Sequence, residues 1–231
     1  MALLATYEDF LKSVNETGFL PFANIVSGLP SLLSVTEGSQ WHTDDPDTDP
    51  WQWRVRAVAE KKLAFGCLLG GHKGFISEAM YPYFYAACNP KEHIEERYHT
   101  GEVSQAVWQV CQLFEEGGEL DTGDIRKALG KRFSQSKLDS AVAELQREFY
   151  ITVSGNRRKC NKQGEPYGWP ANTYKRVTDW APSAFLHEVG DIDQGDAVET
   201  ILNTGVSMGQ QVDRDELARK LKLKVRNPIF K

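Results

Sequence analysis

The sequence predicts an α+β protein, mostly helical, and two stretches carry that expectation. From Ser104 to Trp180, three short amphipathic helical patterns precede two β-rich segments with a long basic stretch between them, the order of a winged helix (three helices plus a β-hairpin wing). From Leu63 to Ser77, two more β-type segments flank a glycine-rich turn and predict an additional N-terminal hairpin.

In chain order, Tyr7 to Val14 has the spacing of a short helix with Phe10, Leu11 and Val14 inward, ended near Thr17-Gly18. Phe19 to Val35 is mostly apolar but broken by Pro21, Gly28 and Pro30, and Leu32-Leu33 is expected in the core. Ser39 to Pro50 reads as a loop carrying Trp41, His42, Asp44, Asp45, Asp47 and Asp49. Asp49 can cap a helix that takes Pro50 in its first turn, with Trp51, Val55 and Val58 on one face and Trp53 to the side. After the hairpin around Gly70-Gly71-His72-Lys73-Gly74, Ser77 is expected to cap a helix over Glu78 to Ala87, with Pro82 early enough to be tolerated. Lys91 to Gly101 is charged and joins the two halves.

In the central stretch, Ser104 caps a helix with Val107, Val110, Cys111 and Phe114 on one face, stopped by Gly117-Gly118. Asp121 or Thr122 caps a second, with Ile125, Ala128 and Leu129 together before Gly130. Ser134 caps a third, with Leu138, Ala141, Val142 and Leu145 in register. Phe149 to Val153 and Thr173 to Val177 are β-branched and aromatic and predict paired strands, with Asn156 to Asn172 as the loop between them. Beyond Trp180, Pro182 opens a short helix, Asp193 or Asp196 starts another, and Val212 to Leu217 begins the last. Three regions are therefore expected: 1–100, helical with one β-hairpin; 101–181, the winged helix; 182–231, a C-terminal helical unit.

Composition narrows the function. Of 231 residues, 41% are hydrophobic and 26% charged, ordinary for a soluble globular chain. No apolar run approaches ~20 residues, which argues against a membrane span, and the acidic start lacks a signal peptide's basic region. Cys67, Cys88, Cys111 and Cys160 have no CxxC spacing and read as free buried thiols in a reducing cytoplasm. Residues 121–180 hold twelve Lys/Arg against seven Asp/Glu, a local +5 in a chain of net −5, which leaves −10 elsewhere. Positive charge concentrated in this way suits contact with a polyanion.

The candidate site residues follow from these patterns. Arg157, Arg158, Lys159 and Lys162 cluster in the basic stretch with no acidic neighbour before Glu165, and Tyr167 and Trp169 follow as aromatic contacts beside phosphates. On the third helix, Ser136, Asp139, Ser140, Ala143, Glu144 and Arg147 point outward, flanked by Gln135 and Lys137. Gln135 has the donor and acceptor that adenine presents for, whereas Asp139 and Glu144 oppose a phosphate backbone, so backbone and shape recognition is favoured over base reading. The acidic loop serves as solvated turn and helix cap more readily than as a metal or general-base site. Gly70 to Gly74 lacks the spacing of a phosphate loop, His93 and His99 have no third partner at metal-ligand spacing, and no GxSxG or HExxH signature occurs.

The residues Trp41, Asp44-Asp45, Pro50-Trp51-Gln52-Trp53-Arg54, Phe65-Gly66, Gly74-Phe75-Ile76-Ser77 and Tyr81-Pro82-Tyr83-Phe84 give the chain a resemblance to the AlkZ-related proteins, relatives of the winged-helix DNA glycosylases AlkZ and YcaQ. With the winged helix that follows, it spans most of residues 7–180. The resemblance implies a soluble bacterial protein with winged-helix units and descent from DNA repair enzymes. In the glycosylases a Gln-x-Gln or Gln-x-Asp motif positions the hydrolytic water. Here the nearest match is Gln52-Trp53-Arg54, and a guanidinium cannot accept a proton from water. Were glycosylase chemistry present, Trp41, Asp45, Trp51 and Gln52 are the residues expected to line its pocket, since an extruded base needs an aromatic cleft with polar groups at its edge.

The expected function is non-enzymatic binding of double-stranded DNA, mainly through its backbone and shape, by the basic wing and third helix in a cytoplasmic protein without metal or cofactor. The alternatives are a DNA glycosylase of the AlkZ/YcaQ type and a winged-helix module that docks a protein partner or a second copy.

Overall fold

The computed structural model describes residues 2–161, 163–187 and 189–225. In chain order its elements are α1 (Tyr7–Thr17), β1 (Phe19–Pro21), α2 (Pro50–Ala59), β2 (Leu63–Leu69), β3 (His72–Ser77), α3 (Tyr81–Cys88), α4 (Ile94–His99), α5 (Gln105–Gln112), β4 (Leu120–Asp121), α6 (Thr122–Leu129), α7 (Gln135–Arg147), β5 (Ile151–Cys160), β6 (Pro166–Arg176), α8 (Val177–Trp180), α9 (Gln194–Ser207) and α10 (Arg214–Leu221). The α+β class is as the sequence predicts. No helix among the described residues is long and apolar enough to cross a membrane.

The chain divides into two compact units. One is built from Met1–Asn89 with Ala181–Lys231, and the other from Pro90–Trp180. The stretch expected as a separate C-terminal region thus contributes to the same unit as the N-terminal stretch.

In the first unit, a three-stranded antiparallel sheet of order β1-β3-β2 carries the core. Phe19–Pro21 is a strand, paired Phe19 to Ile76, where the sequence suggested only a broken apolar stretch. Its three residues are too few to show a period, and all three are buried. Gly70 and Gly71 turn the β2–β3 hairpin with positive φ of 64° and 99°, the conformation a two-residue turn of this hand requires. Gly70 also lies so close to α10 that an added Cβ would stand 2.2 Å from the Lys220 carbonyl oxygen.

Helix α2 is rotated from its expected setting. Pro50, Trp53, Arg54, Ala57 and Val58 are buried, and Trp51 and Val55 are half-buried. Apolar residues nearly encircle this helix, so spacing alone does not select a face. Tertiary contacts do: Trp53 stacks on Phe10 at 5.4 Å, and its Nε1 donates to the Asp47 carbonyl at 2.8 Å. Phe10 in turn meets Phe75 edge-on at 4.9 Å, and Phe75 packs on Phe65 at 4.8 Å. Helix α3 begins at Tyr81 and not at Glu78. Ser77 Oγ still accepts from the Met80 amide at 3.3 Å, but it closes a turn and does not cap the helix. Leu33 is exposed, and Leu32 alone of that pair enters the core. Helix α9, capped by Asp193, packs on α3, and Gln194 Nε2 donates to the Ala87 carbonyl at 3.1 Å.

In the second unit, α5 and α7 take the caps read from the sequence, Ser104 and Ser134, and of the two candidates for α6 the cap is Asp121. A three-stranded antiparallel sheet of order β4-β6-β5 follows them. Both long strands exceed their predicted extent. The pairing continues from Ile151 opposite Arg176 to Cys160 opposite Pro166, through most of the stretch expected to be loop. Strand pairing satisfies the backbone there, which the polar side chains do not oppose. Phe149 is not in the strand: it takes a left-handed φ of 56° and turns the chain after α7.

Cys67, Cys88 and Cys111 form no disulfide among the described residues and are half-buried, less enclosed than expected, and the side chain of Cys160 lies outside the described residues. Burial pushes the Cys111 thiol up to about 11, so it stays protonated.

Candidate nucleic-acid interface

Helix α7 buries Leu138, Ala141, Val142, Leu145 and Gln146, which fixes the face it turns to solvent. Gln135, Ser136, Lys137, Asp139 and Ser140 are exposed in its first two turns. The Ser134 hydroxyl accepts from the Lys137 amide at 3.4 Å and sets where that face begins. Gln135 donates to Asp139 at 2.6 Å, so its amide is engaged on its own helix. Arg147 is half-buried and held by Glu148 at 2.9 Å, with Glu144 at 3.9 Å. It is an internal tether at the far end of the helix, and the structure does not bring it to the exposed row. Sequence reasoning left out Lys131 and Arg132, both exposed in the turn before Ser134. Their adjacency to the third helix's cap was the signal available.

The β5–β6 hairpin carries the other candidates. Arg157, opposite Ala171, donates from Nη1 to Asp124 at 3.0 Å and from Nη2 to the Glu119 carbonyl at 3.3 Å, with Asp121 at 3.6 Å. Its charge is therefore largely spent on the first turn of α6. Arg158 is exposed and forms no ion pair or hydrogen bond among the described residues. The register then shifts: Arg157 faces Ala171 while Lys159 faces Tyr167, so one residue of β5 stands opposite three of β6. Gly168 in this bulge takes a φ of 71°, and the neighbouring Trp169 is 75% exposed. Tyr167 is also exposed. The side chain of Lys159 and the whole of Lys162 lie outside the described residues. Behind the hairpin, burial pushes the Glu119 carboxyl up, but hydrogen bonds from Ser154 at 2.6 Å and Thr173 at 2.9 Å outweigh it and hold the group below its ordinary range.

The pocket residues expected in the first unit come together only in part. Trp41 and Trp51 both meet Phe22 edge-on, at 5.6 and 6.4 Å, and His42 packs on Trp51 at 5.2 Å. Trp41 Nε1 donates to Thr36 at 3.1 Å. Gln52 donates to Asp44 at 3.3 Å, and Asp45 accepts the Asp47 amide at 2.8 Å as an exposed loop turn. The Asp45 backbone contact holds its carboxyl below the usual range. Asp49, fully buried, accepts from the Trp51 amide at 2.8 Å and is the cap the sequence implied. What sequence reasoning missed is Arg54, whose guanidinium lies 3.7 Å over the Trp51 ring. The signal was the i, i+3 spacing of Trp51 and Arg54 on one helix.

The family model described as AlkZ related matches residues 4–222. The Streptomyces sahachiroi DNA glycosylase AlkZ is similar in structure at a TM-score of 0.38 and 11% identity, over 74% of this chain and 50% of that one. The chain thus spans about half the length of that enzyme. No curated protein matches the sequence.

Proposed function

The chain belongs to the AlkZ-related family, and from that premise we propose that it binds double-stranded DNA without cleaving it, the second unit acting as a winged helix. One observation carries the reading: a helix with small and basic residues exposed at its start, Ser136, Lys137 and Ser140, in a unit whose hairpin presents Arg158 and Trp169 to solvent. Small residues let a helix approach a groove closely, and an exposed guanidinium and an exposed ring on one hairpin suit a phosphate and its neighbouring sugar or base. The family's name refers to a DNA glycosylase, which supports DNA as the partner. The absence of a base at Arg54, together with Gln52 tied to Asp44, favours binding over hydrolysis.

The test is fluorescence anisotropy of a labelled duplex across a salt series, with wild type beside Lys137→Ala and Arg158→Ala. Each phosphate contact removed lowers the slope of log K against log salt by about 0.9. Loss of affinity with an unchanged slope would count against a phosphate contact at that residue. No binding at low salt would turn attention to a protein partner, a reading that the internal pairing of Arg157 favours.

A further inference from the structure

We propose that Arg54, stacked on Trp51, is a binding site for a phosphate group in the first unit. This does not rest on the DNA contact proposed for the second unit.

Arg54 is only 8% exposed. One face of its guanidinium lies on the Trp51 ring at 3.7 Å, with the Phe65 ring centroid 6.0 Å away, and its Nε donates to the Trp51 carbonyl at 3.2 Å. These contacts fix the plane of the group and use one of its five N–H donors. The four on Nη1 and Nη2 meet no acceptor among the described residues, and no carboxylate pairs with the group. The sealed polar atoms without partners lie elsewhere, at Trp108 Nε1 and Thr152 Oγ1, so the terminal nitrogens of Arg54 open to solvent.

Arginine is charged at every pH the protein meets, and a buried cation without a counter-charge is costly. Burial alone acts on Arg54 and depresses its pKa, with no anion opposing it. Acidic residues are abundant in the adjoining loop, yet the fold commits them elsewhere. Asp44 takes Gln52, Asp45 takes the Asp47 amide and Asp49 takes the Trp51 amide. Asp47 faces Arg56 on the same helix at 3.8 Å, and Arg56 has Glu60 as well at 2.9 Å. The half-buried Arg56 is thus paired, while the buried Arg54 is held in one orientation with its end-on N–H pair free of acceptors among the described residues. That pre-oriented fork matches two oxygens of a phosphate. The rings of Trp41, His42 and Trp51 beside it suit a phosphate carried on a planar base. The phosphate can come from a free nucleotide or from a nucleic-acid backbone.

The test is thermal unfolding of the full chain, and calorimetry, at constant ionic strength, with chloride replaced by inorganic phosphate, by a deoxynucleoside monophosphate, or by a short duplex. Wild type is compared with Arg54→Met and Arg54→Lys. Phosphate is expected to raise Tm saturably in wild type. Arg54→Met, which removes a buried charge, is expected to match or exceed the wild-type Tm without ligand and to lose the response. Arg54→Lys should weaken it about tenfold, since the fork is gone and the charge kept. Tighter binding of the mononucleotide than of phosphate assigns the source to free nucleotides. A response to duplex that survives Lys137→Ala and Arg158→Ala but not Arg54→Lys assigns it to a backbone. No saturable response to any of the three probes, an equal response to acetate, or an undiminished response in Arg54→Lys would overturn the site. Should Arg54→Met fail to fold, the wild-type titration and the lysine variant still decide.

Discussion

Arg157 donates to Asp124 at 3.0 Å and so ties the β5–β6 hairpin to the first turn of α6. The same turn holds Asp121, the α6 cap, 3.6 Å from the guanidinium. Of two adjacent arginines, one therefore fastens the hairpin and the other, Arg158, faces solvent. Their substitutions should differ in kind. Arg158→Ala is expected to lower the salt slope of duplex binding by about 0.9, the value of one phosphate. Arg157→Ala should leave the slope nearly unchanged while loosening the hairpin, seen as faster amide exchange in β5. Equal slope changes would place both charges on DNA.

Glu148 anchors a buried ion pair. Its carboxylate receives Arg97 Nη1 at 2.7 Å and Arg147 at 2.9 Å, and the Arg97 and Glu148 side chains are only 10% and 12% exposed. Burial depresses the Arg97 pKa, but the bonds to Glu148 and Tyr150 outweigh it and raise the group above its ordinary value. Glu148→Ala should destabilise the second unit by about 3 kcal/mol, because it leaves the buried Arg97 guanidinium with only its longer contacts to Glu102 and Tyr150, at 3.4 and 3.3 Å. Glu199→Ala, which breaks the exposed pair with Arg214, should cost no more than about 0.5 kcal/mol. Urea unfolding of both variants measures the contrast, and similar losses would refute it.

Gly70→Ala should cost about 2–3 kcal/mol, since the new methyl combines a left-handed φ with a clash against the α10 backbone. Gly71→Ala, with open space beside it, should cost less, through its φ alone. Paired thermal melts rank the two, and a reversed order would mean that α10 yields readily.

The Glu119 carboxyl gives the second unit an acid sensitivity. Its folded pKa lies below the ordinary glutamate value of 4.5. The stability it contributes is therefore complete above that value and is lost as pH falls through the folded pKa. Glu119→Gln should flatten stability against pH in that acid window and leave the neutral range sloped as before. An unchanged acid slope would assign the sensitivity to other carboxylates.

Much of the second unit could be read directly. Ser104, Asp121 and Ser134 each announced a helix because a cap is local chemistry, legible without knowing what the helix packs against. The reach of β5 and β6 was not legible, because Asn156 to Asn172 is polar on both faces and pairing there depends on the partner strand. Trp53 displaced Trp51 from the core through its stacking on Phe10, a residue distant in sequence, and its bond to the Asp47 carbonyl in the preceding loop. The split fates of Arg157 and Arg158 were equally hidden, since identical neighbours in sequence project to different sides of a strand. Arg54 stood in view, but as a mismatch to a catalytic motif and not as a stacked cation.

Gly70 against α10 has a consequence for the order in which the protein is made. The first unit draws on segments to either side of Pro90–Trp180. On a ribosome the second unit is complete as soon as Trp180 emerges, whereas the hairpin turn waits for Leu221 to cover it. The second unit is therefore free to fold during synthesis, while the first closes only once the α10 residues have emerged. A nascent chain stalled once Trp180 has left the ribosome should already resist protease across Pro90–Trp180, before residues 1–89 do.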